Sequence, residues 1–540
     1  MFGGLYEIMT VIALHTPEHR CKIPGLENDT YNVQSSYHLE LVNNYIPPSA
    51  DETTLDYDRC HMYLFNASDV IFDKSSKPVN ASLVKCTEWV YSNSLFDETF
   101  TSKFNIVCDR TRLVPLCKSL FVVGKFLGSF LFGRLSDQIG RKTTHCSALM
   151  LMFGLTFGMS WSSSYAVFTI IITAIGAATQ GIFGVGFILG VELVGPSKRK
   201  YAALFLQDFF SLGVVVLSGV SFFVRHWHYI NIVCSAPALL FVLYWWLLPE
   251  SPRWLISKHR MEEANVILQK TAKVNKRNVM ITRLYRNVES KVQAPTGNLF
   301  QFLFSRGVLS RALILFFNWS VVNMTYYGLS LNAGNMKGNF FLNIFLAGLI
   351  EIPAIIMVSF CVDRAGRKRV YSLSIILAGC ACASSMLVML FLQPENPIIV
   401  IAAAMVCKFF ASAAYNTIYL FSSELFPTMT RNAGMGASAC AARLGGIMAP
   451  YVADATILVS GKVGQILPFG VFGMLSIMAG LSSIYLPETR DAILPETIED
   501  GKRFWKCRAD QETRDIETPE CKDNSEVNSG YSAEMEMTRF

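Results

Sequence analysis

The chain has 540 residues, of which 52% are apolar and only 16% are charged. Soluble domains carry about 25% charged residues, so this composition excludes an ordinary soluble protein of the same length. The net charge of +6 is spread over short basic loops between long apolar runs, which does not fit the continuous basic surface of a nucleic-acid-binding protein. The sequence therefore predicts a protein that crosses a lipid bilayer many times.

The first apolar segment, within residues 1–15, is shorter than the roughly 20 residues that span a bilayer as a helix. It has no basic region before it and no cleavage-type site after it, so we do not interpret it as a secretory signal peptide. We expect it to be a partial first transmembrane helix that lacks its opening half.

Residues 16–111 form a long polar segment with four cysteines and three N-glycosylation sequons. An even number of cysteines together with sequons indicates an oxidised domain outside the cytoplasm, with two disulfides whose pairing the sequence does not decide. Most of the other cysteines lie in apolar runs, where we expect small packing residues. The disulfide candidates are Cys21, Cys60, Cys86 and Cys108, and the glycosylation candidates are Asn28, Asn66 and Asn80.

Eleven apolar runs follow this segment. Each is long enough to cross about 30 Å of hydrocarbon at a helical rise of about 1.5 Å per residue. They fall into two groups, within residues 112–249 and residues 308–486. The predicted spans are 112–134, 144–161, 165–190, 202–224 and 229–248 in the first group, and 308–330, 340–362, 370–391, 397–421, 434–458 and 465–486 in the second.

Lys and Arg are concentrated in alternate loops, for example at Arg141 and Lys142 and again at Arg367 and Lys368. The positive-inside rule places these loops in the cytoplasm. Residues 16–111 then lie outside the cell, in agreement with their cysteines and sequons, and we expect a plasma-membrane protein with a cytoplasmic C-terminus. We expect residues 250–307 to be a cytoplasmic linker with short helices and residues 487–540 to be a mostly disordered cytoplasmic tail.

Three short signatures occur once in each half of the chain, at offsets of 226, 232 and 238 residues. Basic residues beside acids at helix ends can pair, and such pairs could hold one conformation shut. Anchoring by positive charge alone is the simpler reading, but it does not account for the repeated acids and glycines. The first signature pairs Asp137, Gly140 and Arg141 with Asp363, Gly366 and Arg367; the second pairs Glu192 and Arg199 with Glu424 and Arg431; the third pairs Pro249-Glu250-Ser251-Pro252-Arg253 with Pro487-Glu488-Thr489-Arg490.

Several segments resemble one family. The stretch Gly133 to Lys142 resembles the signature loop of the major facilitator superfamily, and Pro249 to Leu255 is similar to a motif of its sugar and organic-ion branches. Thr16 to Cys21 and Ser423 to Thr428 are similar to the organic cation/carnitine/anion transporter family. The resemblance covers nearly the whole chain except the tail. It implies an all-α membrane protein with two six-helix bundles, a large extracellular loop after the first helix, and alternating access around a central site near the midplane.

Ionisable side chains inside spans are the main candidates for substrate binding, since each costs roughly 2.5–3.5 kcal/mol at a helix centre. By the resemblance, Glu351 matches an acidic position of cation-transporting members. Arg443 stands where the cation carriers have an acid and the carnitine and anion carriers have a base, which argues against a plain cation carrier. The full set is Glu7, Lys125, Asp208, Glu351, Lys408 and Arg443.

The two central candidates suggest a zwitterionic substrate. Glu351 is expected to attract an ammonium and Arg443 to accept a carboxylate in a forked pair. Alternatively, Glu351 pairs with Lys408 or Arg443 and has a structural role. The resemblance further implies aromatic residues, which can bind ammonium, and neutral polar residues along the cavity. These are Phe183, Phe210 and Tyr326, together with Gln180, Gln207 and Asn416.

The expected function is transport of small organic zwitterions or cations of the carnitine type, with the bilayer and the substrate as partners. An organic anion carrier is the close alternative, since Lys125, Lys408 and Arg443 leave the cavity at least as basic as it is acidic. A non-transporting receptor or scaffold is the alternative of another class. The sequence has neither a Gly-x4-Gly-Lys phosphate loop nor a His/Cys metal cluster, so we expect neither an enzyme nor a cofactor. The coupling ion, sodium or a proton, and the oligomeric state stay open.

Overall fold

The computed structural model describes residues 2–48, 57–64, 82–195, 199–276, 302–305, 308–336, 338–392, 398–427, 430–459, 462–490, 495 and 498–510. It is an all-α membrane fold with a small, partly stranded domain after the first helix. All structural statements below concern this part of the chain.

The first half contains a short opening helix and five longer helical passes. The opening helix α1 is Phe2–Ala13, and it is followed after the polar domain by α4 (Leu113–Ile139), α5 (Arg141–Met159), α6 (Tyr165–Leu193) and α7 (Arg199–Phe223). The last pass begins as α8 (Trp227–Ser235), continues as a 3-10 helix (Ala236–Leu243) and ends as α9 (Tyr244–Leu247). Two surface helices follow, α10 (Pro252–Ser257) and α11 (Met261–Val274).

The second half repeats this arrangement with six passes. They are α12 (Leu309–Asn332), the broken helix α13 (Phe340–Leu349) and α14 (Glu351–Ala365), α15 (Arg367–Leu387), α16 (Ile398–Leu425), α17 (Arg431–Ala453) with α18 (Ala455–Leu458), and α19 (Lys462–Ser482). A final helix, α20, is Ile498–Asp510. A helix therefore covers each of the eleven predicted spans.

Eight of these helical runs are long and apolar enough to cross a membrane by length and composition alone. The remaining full-length helices α5, α12 and α17 have 19, 24 and 23 residues. They are less apolar because they carry polar residues on buried faces, among them Asn318, Asn323 and Arg443. Such residues belong on helices that face a partner or a cavity inside the protein.

Residues 15–111, which we call the cap domain, contain two antiparallel two-stranded sheets. Strand β1 (His19–Cys21) pairs with β4 (Trp89–Tyr91), and β2 (His61–Leu64) pairs with β3 (Ser82–Lys85). Helices α2 (Ser36–Tyr45) and α3 (Phe100–Lys103) complete it. We call the membrane face next to this domain the cap side, and the opposite face, which carries the repeated signatures, the motif side.

Disulfides connect Cys21 to Cys86 and Cys60 to Cys108 in the cap domain, one of the three pairings that the sequence left open. A third disulfide, Cys382–Cys407, joins α15 to α16. For these two residues this corrects the expectation of small packing residues, whereas the other described cysteines of the apolar runs are free. Asn28 is exposed, as a glycosylation site must be, whereas Asn66 and Asn80 lie outside the described residues.

Residues 487–540 were expected to be mostly disordered, but the structure has a helix, α20, at Ile498–Asp510. Helix α20 lies against the second bundle, where the indole of Trp505 is fully buried between Phe302 and Phe426. Its Nε1 donates a hydrogen bond of 2.7 Å to the carbonyl of Leu425. Residues 511–540 lie outside the described part of the chain.

Candidate functional site

A small cavity lies at the centre of the protein, where the two bundles meet. Its walls come from α1 and α7 of the first bundle and from α12, α13 and α14 of the second. It has room for about one water molecule. The lining residues are Glu7, Ile8, Phe210, Val214, Tyr326, Tyr327, Ser330, Ile344, Ala347 and Glu351.

Glu351 is placed in this cavity by a break in its helix. Helix α13 ends at Leu349, and α14 starts at Glu351 with Pro353 in its first turn, a position where proline is tolerated. The interruption is a single residue, Ile350, whose backbone angles are still helical, so the carboxylate lies near the middle of one membrane pass. Lys408 Nζ lies 2.8 Å from its Oε1, while Oε2 accepts hydrogen bonds from Ser211 at 2.6 Å and the Tyr326 hydroxyl at 3.0 Å.

Lys408 is buried beside Glu351, with only 2% of its surface exposed. Its ammonium lies 3.6 Å from the centre of the Tyr326 ring and donates hydrogen bonds to the Tyr326 carbonyl, at 3.2 Å, and to the Ser330 hydroxyl. The structural pair between Glu351 and Lys408 that the sequence left open is therefore present in this conformation.

A second buried ion pair joins Glu7 of α1 to Lys125 of α4. The Lys125 ammonium also lies 3.3 Å from the Tyr327 hydroxyl and 4.7 Å from the centre of the Tyr327 ring, which belongs to the opposite bundle. Both residues are ionisable groups inside predicted spans, but their pairing was not predicted, because they are 118 positions apart.

Arg443 is the charged group of this centre that has no carboxylate partner. It is 8% exposed, and within the described residues it forms no salt bridge. Its guanidinium donates a hydrogen bond of 3.0 Å to Gln180 Oε1 across the bundle interface, and Tyr327, Tyr415 and Tyr419 lie near it. The centre therefore contains two carboxylates and three cations.

The structure brings some of the other candidates together and separates the rest. Phe210 lines the cavity, and Phe183 lies 6.3 Å from it, ring centre to ring centre. Asn416 instead donates to the carbonyl of Ser412 in its own helix, and Gln207 is half-buried on α7. Ser211 and Tyr327 were missed, because a serine or a tyrosine in a membrane helix carries no signal of its own.

The first copy of the repeated signatures forms a network inside the first bundle. Arg141 lies 2.9 Å from Asp137 and 3.6 Å from Glu192. Glu250 accepts backbone hydrogen bonds from Arg141 at 3.0 Å and from Lys142 at 3.1 Å, and so caps the start of α5. Gly140 has a φ of +107°, and a Cβ atom there would overlap the Glu250 carboxylate, so glycine is required at this turn.

The second copy repeats this network. Arg367 lies 3.1 Å from Glu424 and 3.8 Å from Asp363. Glu488 accepts a backbone hydrogen bond from Arg367 at 2.9 Å, and Gly366 has a φ of +95° beside it. Glu250 and Glu488 were not predicted as site residues, although both lie in the third signature.

The signature pairs therefore form within one bundle, between the ends of neighbouring helices. Arg431 donates a hydrogen bond of 3.4 Å to the Phe426 carbonyl. The side chain of Arg199, expected beside Glu192, lies outside the described part of the structure.

Contacts between the bundles continue from the centre to the cap side. Lys118 of α4 donates to both oxygens of Asp454 at the end of α17, at 2.8 and 2.7 Å, and both side chains are buried. Asn335 donates to the same carboxylate at 3.1 Å. Ser119 and Ser218 donate to the Ile447 and Phe341 carbonyls of the second bundle. The cap side is therefore closed in this conformation.

Comparison with known proteins identifies the family. Residues 70–497 match the family model described as "Sugar (and other) transporter". The organic cation transporter protein of Drosophila melanogaster is 35% identical over 524 residues, which cover 94% of this chain and 91% of the relative. The human organic cation/carnitine transporter 2 is 30% identical over 509 residues, covering 92% of this chain and 88% of that protein.

The chain belongs to the organic cation/carnitine transporter family of the major facilitator superfamily. Among solved structures, the inward-open xylose transporter XylE from E. coli has a TM-score of 0.59 at 19% identity, covering 77% of this chain and 93% of XylE. The predicted major facilitator fold is thereby confirmed. Like its relatives in the family, this protein is a multi-pass membrane transporter of a small solute and not an enzyme.

Proposed function

We propose that this transporter carries small organic ions that combine an ammonium with a carboxylate, the carnitine type of zwitterion, by alternating access. The state of Arg443 carries this proposal, because Arg443 is a buried cation near the cavity residue Glu7 and has no carboxylate partner among the described residues. The relatives described as organic cation and organic cation/carnitine transporters support the ammonium part of the substrate.

The carboxylate end is assigned to Arg443. Burying a charge is costly unless it is paired, and Gln180 and the surrounding tyrosines compensate the guanidinium only in part. A guanidinium offers two parallel N–H donors to a carboxylate, and this geometry is stronger than that of neutral hydrogen bonds. A substrate carboxylate would thus give Arg443 the anionic partner that it does not have among the described residues.

The ammonium end is assigned to Glu351 and the tyrosine rings around it. Lys408 already shows this chemistry, since its ammonium lies between the Glu351 carboxylate and the face of Tyr326. A quaternary ammonium has no N–H to donate, but its positive charge is attracted by the same carboxylate and the same aromatic face. It must share Glu351 with Lys408 or displace that side chain, so substrate binding and rearrangement of the ion pair are coupled.

Alternating access gives the remaining groups their roles. The cap side corresponds to the outside of the plasma membrane and the motif side to the cytoplasm, which also contains the C-terminus. The closed cap side is one end state, and the signature networks around Arg141 and Arg367 stabilise helix ends that move relative to each other in the cycle. The coupling ion is sodium or a proton.

Transport of organic anions is the second candidate, and a specific observation favours it. Glu7 and Glu351 are each neutralised by a lysine, so Arg443 gives the centre an excess of one positive charge. A monocarboxylate neutralises that excess, whereas a zwitterion leaves it unchanged.

Uptake into proteoliposomes distinguishes the candidates. Labelled carnitine, tetraethylammonium and an aryl carboxylate are compared at equal concentration, with and without sodium and at two external pH values. The proposal predicts saturable carnitine uptake that exceeds uptake of both other probes. Entry of the aryl carboxylate alone supports the anion carrier, and entry of tetraethylammonium alone rejects the role of Arg443. No flux of any probe by correctly inserted protein favours a receptor or scaffold.

A further inference from the structure

The central cavity has a second carboxylate, which faces it from the other bundle. Glu7 of α1 is 5% exposed and lines the same cavity as Glu351 of α14. It also interacts electrostatically with Lys408 and Arg443. The charge of Glu7 therefore acts on Lys408 and Arg443 as well as on its partner Lys125.

Each of the two carboxylates belongs to its own cluster of three groups, and both clusters consist of an acid, a lysine and a tyrosine ring. In the second bundle these groups are Glu351, Lys408 and Tyr326, with the ammonium 3.6 Å from the ring centre. The other arrangement consists of Glu7, Lys125 and Tyr327, with the ammonium 4.7 Å from the ring centre.

The two arrangements meet on α12. The two tyrosines are consecutive, and their ring centres lie 5.2 Å apart. The cavity lies between two sites that each already hold an ammonium against a carboxylate and an aromatic face, the two features that stabilise ammonium groups in proteins.

We propose that Glu7 is a specificity-determining residue that completes a two-sided subsite for the ammonium of the substrate, opposite Glu351. The inference rests on the proposed zwitterion transport and deepens it. In this subsite the ammonium lies between carboxylates of opposite bundles, with the rings of Tyr326, Tyr327 and Phe210 around it. In this conformation each acid is paired with a lysine.

The position of Glu7 also links recognition to conformation. The cavity now has room for about one water, so an ammonium enters only when the walls move apart. Because Glu7 and Glu351 belong to different bundles, a cation between them attracts both bundles toward the substrate. A neutral molecule of the same shape fills the space but gains neither attraction.

The measurement is the ratio of kcat/KM for carnitine to kcat/KM for its isostere, in which carbon replaces the ammonium nitrogen. Two variants separate a role in recognition from a purely structural ion pair. Glu7→Gln with Lys125→Gln removes the acid without leaving an unpaired lysine. Glu7→Lys with Lys125→Glu preserves the ion pair but removes the carboxylate from the α1 wall.

The matched control neutralises another buried pair, which lies in the cap domain and does not line the cavity, with Arg20→Gln and Asp29→Asn. Each ratio is measured on one protein, so changes in expression or turnover cancel. If the neutralised variant fails to reach the membrane, the swapped variant decides the test, because it retains the ion pair.

We expect the ratio to fall about tenfold in both Glu7 variants, which corresponds to a loss of about 1.4 kcal/mol of charge attraction between the carboxylate and the quaternary ammonium, and to stay unchanged in the control. A wild-type ratio in the swapped variant would overturn the role of Glu7 and leave zwitterion transport intact. Equal transport of carnitine and its isostere by the wild type would instead refute the proposed ammonium site, and this inference with it.

Discussion

The buried pair of Lys118 and Asp454 is predicted to hold the cap side closed. Both side chains are at most 4% exposed, and they join helices of different bundles. In Asp454→Asn, the Lys118 ammonium stays buried without its counter-charge as long as the cap side is closed. Removing one partner of a buried pair costs about 3–5 kcal/mol. In the open state the ammonium reaches water, so this cost applies to the closed state alone.

Since about 1.4 kcal/mol changes an equilibrium tenfold, Asp454→Asn should shift the protein toward the cap-open state by about a hundredfold or more. Val11→Cys reports the shift, because Val11 is buried beside Gly334 of the second bundle. An impermeant maleimide applied from the cap side should label this cysteine much faster in the Asp454→Asn background. Protein without Val11→Cys gives the background from native cysteines.

An exposed ion pair supplies the control. Lys22 and Glu88 lie 2.9 Å apart in the cap domain with 37% and 67% of their side chains exposed, and such pairs contribute at most about 1 kcal/mol. Glu88→Gln should leave the labelling rate of Val11→Cys unchanged. Equal labelling rates in the Asp454→Asn variant and the wild type would refute the view that this pair closes the cap side.

Three further predictions concern stability, each measured by thermal unfolding of purified protein. Gly140→Ala should lower the free energy of unfolding by about 2 kcal/mol, because φ is positive there and a Cβ atom would overlap Glu250. The control Gly133→Ala has open space around it and should not destabilise the protein. Equal effects of the two substitutions would contradict this explanation. Trp505→Ala should lower the free energy of unfolding by about 3–5 kcal/mol, because a buried indole is lost. An unchanged free energy of unfolding would mean that α20 does not stabilise the fold. Burial lowers the pKa of His19 to about 4, below the unfolded value of about 6.5. Between these two values the unfolded chain binds more protons than the folded chain, so acidification from pH 7.5 to 5 should lower the free energy of unfolding by about 2 kcal/mol. His19→Asn should not show this loss. An equal loss in both proteins would assign the acid sensitivity to other groups.

The membrane helices were predicted well because a helix that crosses the bilayer requires about 20 consecutive, mostly apolar residues, which are recognisable in the sequence alone. Each of the eleven apolar runs corresponds to a helix. The repeated signatures were also recognisable, since a turn that excludes side chains requires glycine at Gly140 and Gly366. Glu351 and Arg443 were identified because a charge inside an apolar run is conspicuous.

The pairing of charges could not be predicted, because it depends on which helices are neighbours. Glu7 and Lys125, Lys118 and Asp454, and Cys382 and Cys407 meet only after the bundles are assembled. The same limit applies to the signature arginines, whose partners lie within one bundle. Helix α20 was missed because polar composition alone indicates disorder, whereas the helix packs through a few apolar side chains, chiefly the fully buried Trp505 with Ile498 and Phe504 beside it.

The most direct test of the central claim compares wild-type protein with Arg443→Gln in uptake of carnitine and of its methyl ester, which keeps the ammonium but lacks the carboxylate charge. The account predicts that the wild type prefers carnitine. It also predicts that the variant loses this preference by about tenfold or more, since a forked charged pair is replaced by a neutral amide. An unchanged preference in Arg443→Gln would contradict the assignment of the substrate carboxylate to Arg443.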